Sequence, residues 1–304
     1  MKQKFEDHKF GDQATGLIVM AQQILTEYAQ QGYRLSLRQL YYQFVARDLL
    51  PKSWEDPATG STNNVRSYKK LGNIICDARM AGLLDWNMIE DRGREPAINA
   101  HWTSPGEIVQ ACANQFRLDH WSNQSNYVEV MVEKDALAGI LEPVCRKWDV
   151  IFTANKGYSS ASAMFEAGLR FSHAIVAGKN AHLFYFGDHD PSGIDMTRDV
   201  TDRLIVFAFG EQIDVIRLAL NMDQVKIWQP PENPAKETDS RFIAYQDKYG
   251  DSSWELDAVE PKTLANLVED GIKNFIGFSE WDEKEEEQDT MRQKLQEFAD
   301  ENRE

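Results

Sequence analysis

Two carboxylates one residue apart follow an aromatic run in Phe184-Tyr185-Phe186-Gly187-Asp188-His189-Asp190-Pro191-Ser192-Gly193. The aromatics read as a buried strand ending at Gly187, and Pro191-Ser192-Gly193 turns the chain into a helix. Asp188 and Asp190 leave one strand end at a spacing of two, so both can face one side. Carboxylates aimed at one point repel unless a cation lies between them, and an oxygen-only donor set suits Mg²⁺. Taken alone, an acidic turn beside a Pro-Gly corner accounts for the same residues.

The elements that must position this turn form a regular alternation. Strands are expected at Tyr127–Val132 (Val128, Val130 and Val132 on one face), Val150–Thr153, His182–Phe186 and Ile213–Leu218. Helices are expected at Asp135–Trp148, Ser159–Phe171 and Ser192–Phe207, with another at Thr263–Phe275 after the proline-rich loop 229–234. Alternating strands and helices imply a mainly parallel sheet covered on both faces, an α/β, Rossmann-like domain over residues 126–280. Functional groups in such a sheet collect at the carboxyl ends of strands. Three ends bear polar residues: Glu133-Lys134-Asp135, Asn155-Lys156-Gly157-Tyr158, and the turn at 187–190. If these strands are neighbours, Glu133 joins Asp188 and Asp190 in a set of three carboxylates favouring Mg²⁺ or Mn²⁺. Lys156 is placed to touch a phosphate, although an exposed loop lysine reads the same way.

Upstream the texture is helical. Residues 13–31 carry Leu17, Ala21, Ile24 and Tyr28 at helical spacing. Ser36 can cap a second helix bearing Leu37, Leu40, Tyr41, Phe44 and Val45, and a third is expected from Thr62 through Ala81. Short apolar patches at Leu83-Leu84 and Met88-Ile89 precede Arg92 and Arg94. Two helices and a short hairpin with basic residues match a winged helix-turn-helix over residues 33–122, behind an N-terminal helical extension at 1–32. Arg66, Lys69, Lys70, Arg79, Arg92 and Arg94 would then supply phosphate contacts to DNA.

Net charge bears on that partner. The 304-residue chain carries −16, but residues 280–304 hold eleven acids against four bases. Residues 31–100 hold ten Lys/Arg against eight Asp/Glu, which leaves a basic zone available for DNA. The segment 281–304 reads as a solvated acidic helix or tail. Three widely spaced cysteines give neither a disulfide framework nor a zinc site and fit a reducing cytoplasm. No apolar run approaches the ~20 residues of a membrane span, and the charged start lacks a signal-peptide core.

Val132-Glu133-Lys134-Asp135-Ala136, Asn155-Lys156-Gly157-Tyr158 and Gly187-Asp188-His189-Asp190-Pro191-Ser192-Gly193-Ile194-Asp195, in that order, resemble the Toprim domain. Their flanks are similar to the branch containing the A subunit of topoisomerase VI and the meiotic double-strand-break transesterase. The short chain is closest to the compact, stand-alone Mini-A type of bacteria and their mobile elements. In this branch a winged helix precedes the Toprim domain, and Ser36-Leu37-Arg38-Gln39-Leu40-Tyr41-Tyr42 stands where the nucleophile signature lies. The resemblance implies Tyr42 as nucleophile with Arg38 as its arginine, and Glu133, Asp188 and Asp190 as ligands of Mg²⁺. It also implies a homodimer in which each site combines the tyrosine of one protomer with the metal site of the other. An ATPase B-type subunit would be a separate partner, since none is encoded here. Independently, Arg38 and Tyr42 at i and i+4 share a helix face, and a neighbouring cation favours phenolate. Tyr41, about 100° away, would enter the core.

Two features stand outside this pattern. His189, between the aspartates, reads as an exposed side chain. Trp254-Glu255-Leu256-Asp257-Ala258 is similar to a late segment of the compact relatives, and Glu255 and Asp257 read as salt-bridged structural residues. The expectation is a Mg²⁺-dependent, DNA-cleaving, topoisomerase-like transesterase that needs no ATP as encoded and forms a 5′-phosphotyrosyl link to duplex DNA. The alternatives are a Toprim nuclease that uses metal-bound water, and a non-catalytic DNA-binding protein.

Overall fold

The computed structural model describes residues 2–90 and 99–301. Four strands, β1 (Asn126–Val132), β2 (Ile151–Ala154), β3 (Asn180–Phe186) and β4 (Asp214–Ala219), form one sheet in the order β2-β1-β3-β4. All pairings are parallel. The α/β expectation therefore holds. Each strand alternates its side chains between two covered faces. Val128, Val130 and Val132 join Phe184 and Phe186 against α5 (Ala138–Lys147) and α10 (Pro261–Lys273). Met131, Leu183 and Tyr185 pack the opposite face against α6 (Ala161–Val176) and α7 (Pro191–Phe207).

The order reverses between β1 and β3, because the chain leaves β1 toward β2 on one side and returns to β3 on the other. Such a switch point opens a crevice at the strand ends. Register places Val132 beside Phe186, and the Glu133 amide donates to the Phe186 carbonyl at 2.8 Å. Glu133 and the Asp188 turn are thereby fixed side by side.

The N-terminal helices are α1 (Asp12–Gln30), α2 (Leu37–Ala46) and α3 (Val65–Met80). Ser36 and Gln39 form a reciprocal capping box at the start of α2. Helix α3 begins three residues later than the periodicity suggested. Asn64 caps it, and the Asn64 amide donates to Tyr41 Oη at 2.9 Å, holding residues 62–64 out of the helix. Leu17, Ile24, Leu40, Phe44, Leu71 and Ile75 form their shared core. Residues 83–90 do not make the expected hairpin: they hold a 3₁₀ turn at Trp86–Met88 and one bridge from Ile89 to Leu35. Arg92 and Arg94 lie outside the described residues.

Other departures trace to long-range pairing. The segment read as loop contains β5 (Glu232–Pro234), which pairs antiparallel with β6 (Ser252–Trp254). Proline is tolerated there because this ribbon has only two strands, so each is an edge. Between the two ribbon strands lies α9 (Phe242–Tyr249), and α8 (Met222–Trp228) precedes them. The acidic C-terminus takes the helical of its two expected forms, but it is not wholly solvated. It forms α11 (Phe278–Glu301), which docks on α4 (Pro105–Gln115). Gln288 Oε1 accepts from the Leu118 amide at 2.9 Å, and Arg292 Nε donates to the Phe116 carbonyl at 3.0 Å. Its outer face carries the acids into solvent. Among the described residues no helix is long and apolar enough to cross a membrane.

Candidate active site

The turn after β3 is built around two glycines. A Cβ on Gly187 would lie 2.9 Å from Glu133 Oε2, and one on Gly193 would strike the Asp188 carbonyl. Only glycine lets α7 approach the strand ends this closely. Asp190 caps α7: its Oδ1 accepts from Ser192 Oγ at 2.9 Å and from the Gly193 amide at 2.6 Å. Arg217, from β4, donates to the carbonyls of Gly187 at 2.9 Å and Gly193 at 3.1 Å, clamping the backbone of the turn.

Glu133 and Asp188 meet as expected, and both are buried. Glu133 Oε2 accepts from the Asp188 amide at 2.9 Å, while Asp188 Oδ1 accepts from the Leu256 amide at 2.8 Å. Lys134 Nζ occupies the other side of Asp188, 2.6 Å from Oδ2, and reaches Glu255 Oε2 at 2.8 Å. Burial pushes the Glu133 carboxyl well above the usual carboxylate range, with repulsion from Asp188 adding to it. Asp188 is also pushed up, because burial outweighs the pull of Lys134. Burial disfavours the Lys134 ammonium, yet Asp188, Asp257 and Glu255 together hold its proton on more firmly than usual. Among the described residues no group of three or more His, Cys, Asp or Glu side chains is placed so that it could hold a metal ion, so Glu133, Asp188 and Asp190 do not converge as a ready ligand set. The donors are nonetheless all oxygen. The crowding that raises Glu133 and Asp188 is the kind a divalent cation relieves, so their chemistry fits Mg²⁺.

Helix α2 reaches this cluster from the other side. The Arg38 guanidinium pairs with Glu255 and lies 2.9 Å from Asp257 Oδ2, whose side chain is fully buried. Arg38 stands 5.7 Å from the centre of the Tyr42 ring, confirming the shared face. The expected electrostatic outcome does not follow. Burial dominates the Tyr42 phenol and Glu255 reinforces it; Arg38 and Lys134 pull the other way, and the phenol is held well above its ordinary value. Glu255 itself is drawn down to about 2: burial opposes its charge, but Lys134 and Arg38 overcome that. Tyr41 enters the core, where its hydroxyl lies 3.1 Å from the carbonyls of Thr62 and Asn64.

A cavity of about 520 Å³ is lined by Arg38, Tyr42, Glu133, Lys134, Asp188, Asp190 and Glu255. Gly157 also borders it. A positive φ of 83° lets that segment fold over the site, and its amide donates to the Glu133 carbonyl at 3.1 Å. Lys156 points outward, 3.7 Å from Asp135.

The basic residues of α3 divide. Arg66 and Lys69 are exposed. Lys70 lies over Trp54, 5.2 Å from the ring centre. Arg79 stacks 4.3 Å from the Trp86 ring and donates to the Trp86 carbonyl, so it secures the chain after α3. His189 is buried, contrary to expectation, with Nδ1 2.7 Å from Tyr245 Oη. Burial lowers its pKa to about 4. Its backbone pairs with Trp254, which is how residues 255–257 are delivered to the site.

Lys134 and Arg217 are site residues that sequence reading missed, whereas Glu255 and Asp257 are salt-bridged as expected, to Arg38 and Lys134, with only their place at the site unforeseen. A basic residue in the apolar β4 run was a signal for Arg217; the other three act through contacts between distant segments. The chain matches no protein-family model, no curated protein and no solved structure.

Proposed function

We propose that the chain is a Mg²⁺-dependent, DNA-cleaving transesterase of the Toprim and winged-helix type. One observation carries this reading: Tyr42, Arg38 and the carboxylates of Glu133, Asp188 and Asp190 border the same cavity at the switch point of a parallel sheet. Tyr42 Oη would attack a backbone phosphorus, forming a phosphotyrosyl bond as the bond to the 3′ oxygen breaks. The phenol loses its proton, the 3′ oxygen gains one, and the 5′ phosphate stays on the protein, conserving bond energy for resealing. Arg38, one turn away, would orient the attacked phosphate. Glu133, Asp188 and Asp190 would hold the metal, which supplies charge screening on the phosphodiester. Arg66 and Lys69, exposed on α3, would bind duplex backbone, with Lys70 and Lys156 at the margins. Duplex cleavage requires two such sites, hence a homodimer.

The raised phenol of Tyr42 favours a second reading, a nuclease in which water attacks and Tyr42 only packs. The discriminating experiment incubates the protein with supercoiled plasmid and Mg²⁺, traps with denaturant, and digests with protease. Fragments that migrate normally only after proteolysis support the transesterase. Nicked DNA with free ends supports the nuclease.

A further inference from the structure

We infer that Arg217 is a positioning residue of the proposed metal site: its guanidinium sets the peptide planes of the carboxylate turn, and through them the directions of Glu133 and Asp188. This rests on the Mg²⁺ part of the reading above. What the site requires at 217 is the fork of an arginine, not a positive charge alone.

The strand itself aims this side chain. β4 falls out of step with β3 at its end, where Tyr185 pairs with Arg217 but Phe186 pairs with Ala219. Irregularities of this kind re-aim a side chain beside a site. All five N–H donors of Arg217 are engaged around the turn. Nε donates to the Leu220 carbonyl at 3.3 Å, Nη1 to the Gly193 carbonyl and the Thr197 hydroxyl, and Nη2 to the carbonyls of Gly187 and Asp188. Every one of these partners is a carbonyl or hydroxyl oxygen. Burial lowers the Arg217 pKa, and Tyr185, Glu133, Asp188 and Asp190 act against that. The cation is thus held by the backbone it organises.

The backbone carries the effect to the carboxylates. A trans peptide points its carbonyl and its amide in opposite directions. With the Gly187 carbonyl held by Nη2, the amide of that same peptide, on Asp188, is aimed at Glu133 Oε2, 2.9 Å away. With the Asp188 carbonyl held, the His189 amide is aimed at the Trp254 carbonyl at 2.8 Å. That pairing places the segment from which the Leu256 amide reaches Asp188 Oδ1. One guanidinium therefore orients Glu133 through one peptide and Asp188 through the next. Its bond to Gly193 fixes the first turn of α7, which Asp190 caps. Lysine presents its donors from a single nitrogen and cannot span these carbonyls.

Calorimetric titration of the full chain with Mg²⁺ tests this, with the thermal midpoint followed in parallel. Arg217→Lys and Arg217→Met should both bind Mg²⁺ about tenfold more weakly than the parent, as when an orienting group behind a metal ligand is lost. A purely electrostatic role predicts the opposite for Arg217→Met, because removing one cation favours another. Tighter binding by that variant overturns the inference, and so does parent-like binding by Arg217→Lys. Arg217 borders a cavity of about 380 Å³, which gives small ions a route to the space vacated in Arg217→Ala. Dilute guanidinium chloride should restore Mg²⁺ affinity to Arg217→Ala, whereas ammonium chloride should not. Restoration by ammonium as well, or by neither ion, overturns the inference. If the Arg217 variants do not fold, Thr197→Val removes one acceptor of the fork and keeps the side-chain shape. Weaker Mg²⁺ binding at an unchanged thermal midpoint then supports the inference, and parent-like affinity overturns it. Parent protein that binds no Mg²⁺ removes the metal reading itself, and this inference with it. A parent that binds Mg²⁺ no better than Arg217→Lys removes only the inference.

Discussion

Lys134 Nζ lies 2.6 Å from Asp188 Oδ2 and so presents a built-in cation to the carboxylate at the centre of the site. The same ammonium reaches Glu255, making one side chain the link between the carboxylate turn and the residues that hold Arg38. Burying one ion of such a set without its partner is costly, and the cost falls on whichever charge remains.

Replacing Lys134 by Met should therefore cost about 3 kcal/mol of stability, since Asp188 and Glu255 lose their shared partner. Added Mg²⁺ should return part of that loss, because a cation held by Glu133 and Asp188 relieves the same repulsion. Urea unfolding with and without Mg²⁺ measures both effects. Equal stability in the variant and the parent would show that the ammonium does not compensate these acids.

What the sequence disclosed follows the range of the interactions involved. The sheet was readable because alternation in Val128, Val130 and Val132 is local, and so was the turn, where Asp190, Pro191 and Gly193 stand at capping positions. The pairing of His189 with Trp254 joins segments far apart in sequence, and no local pattern announces it. Hence His189 read as exposed, and Glu255 and Asp257 lacked a role beyond salt bridges. The winged-helix reading met a similar limit. Helices α2 and α3 follow from periodicity, but Arg79 stacks on Trp86 by a contact that composition does not encode.

Tyr42→Phe should abolish the covalent DNA adduct while changing stability by no more than about 1 kcal/mol, as expected for one hydroxyl. Affinity for duplex DNA, measured by anisotropy, should be unchanged, because phosphate contacts are assigned to α3. Adduct formation by the variant would assign the nucleophile elsewhere.

Gly193→Ala should damage both the turn and the proposed metal site. Its Cβ would collide with the Asp188 carbonyl and come 3.1 Å from Glu133 Oε2, so the strand end and α7 must separate. Overpacking of this kind costs about 2 kcal/mol. Calorimetric titration with Mg²⁺ should show weaker binding than in the parent, and an unchanged isotherm would argue that the turn does not shape the site.

Acid should destabilise the fold through His189. The unfolded imidazole accepts a proton near its ordinary value, while burial keeps the native ring neutral until about pH 4. Unfolding thus takes up a proton in that window, and stability falls as pH drops from about 6.5. The loss should be on the order of 3 kcal/mol, complete once pH is below the native value. His189→Gln should flatten this part of the stability curve. A slope that persists in the variant would place the titrating group elsewhere.

Glu255→Gln tests the electrostatics at Tyr42, the proposed nucleophile, without relying on activity. Burial and Glu255 both raise the Tyr42 phenol, whereas Arg38 and Lys134 lower it. An amide keeps the shape of the carboxylate but removes its charge, so the two cations act unopposed and the phenol should ionise at lower pH. Phenolate absorbance isolates Tyr42 when the titration of each Tyr42→Phe counterpart is subtracted. The same substitution should loosen Arg38, which keeps Asp257 as its remaining carboxylate partner. A downward shift with little change in stability would identify Glu255 as a contributor, beside burial, to the raised phenol of Tyr42. An unmoved titration would mean that burial alone sets the phenol.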